Sequence, residues 1–114
     1  MQIEFFCDMY ISEDLKSKED ELKKKLLRNK LRAGTYVIAL AQGEQNNLDF
    51  FSAILFRQHL FEETPFLVVG LADGYDDALY LVEEITKKVC KETGNADIRN
   101  YILNRQKEFK EGRV

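Results

Sequence analysis

The chain is poor in the residues that most often carry chemistry. Its 114 residues include one histidine (His59), one proline (Pro65), two cysteines (Cys7 and Cys90) and no tryptophan. One histidine excludes a multi-histidine zinc site, and a two-cysteine, one-histidine site would need all three scarce residues to converge. Two cysteines are too few for the disulfide framework of a small secreted domain. Both lie in apolar stretches, so both are expected as free thiols in or near the core. A Cys–His nucleophile pair needs contact between its members, and no spacing here promises it. His59 falls on the polar side of its helical pattern and is expected at the surface.

Long apolar runs are also missing. None approaches the ~18 residues of a membrane span. The start, Met-Gln-Ile-Glu, has neither the basic region nor the apolar run of a signal peptide, and no lipidation motif appears. A cytoplasmic chain without a membrane partner is the expectation. No charge sign dominates: 17 Lys+Arg against 20 Asp+Glu give a net charge of −3. A mildly acidic chain lacks the positive field that phosphate backbones require, so nucleic acid is not an expected general partner. What the chain does have is 45% apolar and 32% charged residues. That balance suits one globular domain over residues 1–114 with a core of its own.

Three apolar runs read as strands: Ile3–Ile11, Tyr36–Ala41 and Phe66–Ala72. The last two are short and continuous, as in strands covered on both faces. A charged helical pattern follows the first run, from Ser12 or Ser17 to Arg32. After the loop 42–47, a second helix is expected over Leu48–Glu62, ending before Pro65 because a residue preceding proline avoids helical geometry. A third runs over Asp76–Glu92, with Ala78, Leu81, Val82, Ile85 and Val89 at helical spacing and Gly94 beyond its end. A fourth covers Asp97–Lys110. The second and third units overlay, Leu40-Ala41-Gln42-Gly43 falling on Leu71-Ala72-Asp73-Gly74.

Strand, loop and helix in this order imply right-handed crossovers and a parallel sheet. The expected fold is a three-layer α/β/α domain of order β-α-β-α-β-α-α around a small, mainly parallel three-stranded sheet. It resembles a half-sized Rossmann-like or flavodoxin-like doubly wound architecture. That resemblance implies a fold and no activity.

Ligands of such sheets bind where the strands end, here at 11–14, 42–47 and 73–77. These loops hold no GxGxxG and no GxxxxGK[ST], and their charges are acidic, so Gly43 and Gly74 read as turn residues. Asp8, Ser12, Asp73, Tyr75 and Asp76 are the expected polar groups of a ligand or metal site, with Glu13, Asp14 and Asp77 on the same rim. Hard cations such as Mg²⁺ take carboxylates of this kind, although Asp76 and Asp77 also suit a helix N-terminus. No cofactor beyond that Mg²⁺ option is indicated.

Two surfaces remain. Residues 16–32 hold eight basic side chains, with Lys23, Lys24, Lys25 and Arg28 as a patch suited to an acidic protein partner. The patch has no interleaved aromatic for stacking bases, which leaves nucleic acid as a weak alternative. In the second helix, Leu48, Phe50, Phe51, Ile54, Leu55 and Phe61 form the face expected against the sheet. Phe56 and Leu60 fall opposite, as expected interface residues of a homodimer. The functional expectation is a small non-catalytic protein acting through association, in a regulatory or adaptor role. The alternative is an enzyme or ligand binder using the acidic rim.

Overall fold

The computed structural model describes residues 3–41, 47–57 and 66–112. Four strands, β1 (Ile3–Ile11), β2 (Tyr36–Leu40), β3 (Leu48–Ser52) and β4 (Phe66–Ala72), form one mixed sheet in the order β1-β4-β2-β3. β1 and β4 are parallel, and β2 runs antiparallel to both β4 and β3. The helices are α1 (Glu19–Leu27), preceded by a 3-10 turn over Glu13–Lys18, then α2 (Ala53–Arg57), α3 (Tyr75–Thr93) and α4 (Ile98–Lys110). None is long and apolar enough to cross a membrane.

The sheet is covered on both faces. On one, Leu22, Leu26 and Phe56 pack against Val37, Ala39, Phe66, Val68 and Leu71. On the other, Ala78, Leu81, Ile85, Val89, Ile98 and Ile102 pack against Phe6, Ile38, Leu40, Val69 and Ala72. The α/β class and the two covered faces agree with the sequence. The three-stranded, mainly parallel sheet does not.

The correction lies at Leu48–Ser52, expected as the first turns of a helix. Val37, Ile38 and Ala39 of β2 are fully buried, so their backbone groups need partners along both edges of the strand. A neighbouring strand supplies them and a helix cannot. The aromatic pair Phe50 and Phe51 favours that outcome. β2 and β3 therefore pair in unbroken register from Tyr36↔Ser52 to Leu40↔Leu48. The helix is reduced to α2, and residues 58–65, with His59 and Leu60, lie outside the described residues. The apparent repeat of units two and three reflects two similar buried strands followed by different structures.

β1 meets β4 irregularly. Between the pairs Phe5↔Val68 and Tyr10↔Gly70, four residues of β1 span one of β4. β1 is also an edge strand, and its bulged edge is covered by α4. Gln106, buried, accepts from Cys7 N at 2.8 Å through Oε1 and donates through Nε2 to the Phe5 carbonyl at 3.0 Å and to Glu4 at 3.1 Å. One side-chain amide thus stands in for a neighbouring strand. Lys110 pairs with Glu4 nearby, and that bond, helped by Gln106, holds the Glu4 carboxyl below its ordinary range.

α3 carries out what its sequence promises. Its buried residues Ala78, Leu81, Ile85 and Val89 recur at helical spacing, and Gly94 ends it at φ +76° with its N–H on the Cys90 carbonyl.

Candidate functional site

β1 and β4, being parallel and adjacent, open their C-terminal ends side by side. Ser12 follows β1 and is buried. Its N–H reaches the Leu71 carbonyl at 3.0 Å, and its Oγ accepts from Asp73 N at 3.2 Å. Ser12 is therefore spent in latching one loop to the other, which leaves it little for a ligand. Three carboxylates converge beside the latch. Asp14 lies in the 3-10 turn, Asp73 just after β4 and Asp77 in the first turn of α3. One oxygen of each falls within 4.8 Å of the others. Such proximity of like charges favours a neutralising cation. Asp14 and Asp77 also line a cleft of about 410 Å³ between the 3-10 turn and α3, with Lys16, Tyr80 and Glu84.

The expected rim is assembled differently. Asp73 is present, and Asp14 and Asp77 join it. Asp76 is exposed in the first turn of α3, outside the trio. Asp8 is displaced altogether, because it sits in the β1 bulge, where its Oδ2 accepts from Arg105 Nε at 2.6 Å. The loop after β2 leaves from the opposite end of the sheet, since the first residue of antiparallel β2, Tyr36, pairs with Ala72. Tyr75 is exposed, and its ring stands 6.1 Å from Tyr36 and 5.5 Å from Phe50. It belongs to an aromatic group above the β2–β3 end rather than to the carboxylates.

The thiols differ from each other. Cys7 is half-buried in the bulge, and burial, with Asp8 second, pushes its pKa up. A thiol so placed stays protonated and unreactive. Cys90, expected in or near the core, is exposed on α3. Both are free.

The basic patch is partly neutralised within α1. Lys23 pairs with Glu19 at 2.9 Å and lies over the Phe5 ring, and Lys25 pairs with Glu21 at 3.0 Å. Lys24 and Arg28 are exposed, and α1 stops at Leu27, short of the expected Arg32.

The expected interface is inverted. Phe56 is 2% exposed, while Ile54 and Leu55 are 51% and 49% exposed. Because the chain enters α2 from a strand, the helix presents a different face from the one a continuous helix would. Leu48 and Phe50 pack on one face of the sheet and Phe51 on the other, which sets the phase in which the chain enters α2.

Comparison with protein-family models, curated proteins and solved structures gave no match.

Proposed function

We propose that the chain works through protein–protein association, as a homo-oligomer in a regulatory or adaptor role. One observation carries the reading. Large apolar side chains stand exposed on both faces of the sheet: Ile54 and Leu55 on α2, and Tyr75 and Leu79 at the start of α3, are all at least 38% exposed. Large apolar side chains left exposed side by side, as Ile54 and Leu55 are, are characteristic of interaction sites. A reducing cytoplasm suits the two free thiols. In sedimentation velocity, wild type is expected to dimerise with rising concentration. The Ile54→Glu/Leu55→Glu variant is expected to lose about 2 kcal/mol of association energy, roughly 30-fold in Kd, with its melting temperature nearly unchanged. A wild type that stays monomeric at every concentration overturns the reading.

A second reading rests on the trio Asp14, Asp73 and Asp77: binding of a divalent cation such as Mg²⁺ at the β1–β4 end, beside the cleft. In a thermal-shift series, Mg²⁺ or Ca²⁺ at 100 times its Kd is expected to add about 2.7 kcal/mol to wild type. Asp77→Asn is expected to reduce that gain. No shift with either ion removes this reading.

A further inference from the structure

The two edges of the sheet are treated in opposite ways. The β1 edge is bulged, lies beneath α4 and has backbone groups capped by Gln106. β3 is the other edge, and among the described residues no strand pairs with its outer side. It is unbroken in register and contains no bulge, proline, glycine or lysine.

Its hydrogen-bonding phase is fixed by the two bonds that bracket it, Ala41 N to Asn47 O at 3.1 Å and Ala53 N to Thr35 O at 2.9 Å. In an antiparallel ladder the phase alternates, so Asp49 and Phe51 turn their N–H and C=O toward β2. Leu48, Phe50 and Ser52 turn theirs outward. The central residue of this five-residue strand is therefore an outward one.

Resting on the association reading above, we infer that β3 pairs antiparallel with β3 of a second copy about a two-fold axis through Phe50, joining two four-stranded sheets into one of eight. That axis uses every outward group of both strands. Phe50 exchanges bonds with Phe50 of the second copy, and Leu48 with Ser52, giving about six main-chain hydrogen bonds. The charge pattern permits it. Asp49, the one charged residue of β3, meets Phe51 of the second copy rather than a like charge. Phe50, Tyr36 and Tyr75, already in mutual ring contact, supply apolar surface beside the axis. A second copy fits better than a foreign strand because the strand is symmetric about an outward residue, as closed two-fold pairing requires.

Two variants test this. In Phe50→Pro the ring replaces an N–H that β2 does not use, so the intrachain ladder stays and the outward one is blocked. The second is Leu48→Cys/Ser52→Cys in a Cys7→Ala/Cys90→Ser background. It sets two cysteine pairs across the axis at a Cα separation near ~5.5 Å, within disulfide reach. Within one chain the two positions are too far apart to bridge. The expected results are a monomeric Phe50→Pro protein and, on mild oxidation, a covalent dimer that does not extend to polymer. If Phe50→Pro fails to fold, the cross-link decides. A dimer that survives Phe50→Pro and does not cross-link overturns the β3 pairing while leaving association intact. A wild type that is monomeric throughout overturns both.

Discussion

Alanine at Gly70 is expected to cost about 3 kcal/mol of stability, at the upper end of the usual range for overpacking a closed interior. A Cβ there would lie 2.7 Å from the Tyr10 backbone carbonyl and 3.3 Å from Ile38 Cδ1. The first contact decides the size of the effect, because a backbone oxygen cannot rotate away as a side chain can. Tyr10 is also held in place, since β1 continues in register through Tyr10↔Gly70 and Ile11↔Leu71, and Ser12 is latched to Leu71 and Asp73. Urea unfolding should show a lower midpoint with an unchanged slope. A cost under about 0.5 kcal/mol would mean that β1 can slide past β4 in the bulge.

Phe56→Ala is expected to be at least as damaging, at about 3–5 kcal/mol. The side chain is 2% exposed, with its ring 5.3 Å from Phe66 and 6.4 Å from Phe51. Truncation leaves a cavity between α2 and the sheet that surrounding rings are too rigid to fill. Alanine at its exposed neighbours Ile54 and Leu55 should cost the folded monomer little, within about 0.5 kcal/mol each. The same urea measurement on all three separates core from surface in this short helix. Equal effects at Phe56 and Leu55 would contradict the burial described here. A charged residue at position 56 would unfold the protein rather than dissociate it.

Much of the fold is legible in the residues. Val37–Leu40 and Phe66–Ala72 announce buried strands by continuous apolar character, and α3 announces itself by Ala78, Leu81, Ile85, Val89 and the closing Gly94. Leu48–Arg57 is ambiguous because its apolar residues satisfy a helical stripe and a two-sided strand at once. What resolves it is the need of β2 for a second partner, a property of the sheet and not of the segment. The same limit governs the site. Asp73 and Asp77 sit close in sequence at a strand–helix junction and can be paired by eye, whereas the bond from Arg105 that removes Asp8 spans 97 residues. Gln106 gives no local sign of its task, since an amide on a helix becomes an edge cap only once a distant bulge faces it.

That cap has a consequence for the order in which the chain can assemble. β2 and β3 are near neighbours in sequence and can pair as soon as both are synthesised. β1 is made before either of them, but its strand partner among the described residues begins at Phe66, and the amide that closes its other side arrives with Gln106, 99 residues after Cys7. Loop closure over such separations is slow and entropically costly. During synthesis β1 therefore waits, with its outer edge uncapped, until Gln106 has emerged. α4 is the element that ends this wait, which ties β1 and α4 into one cooperative step.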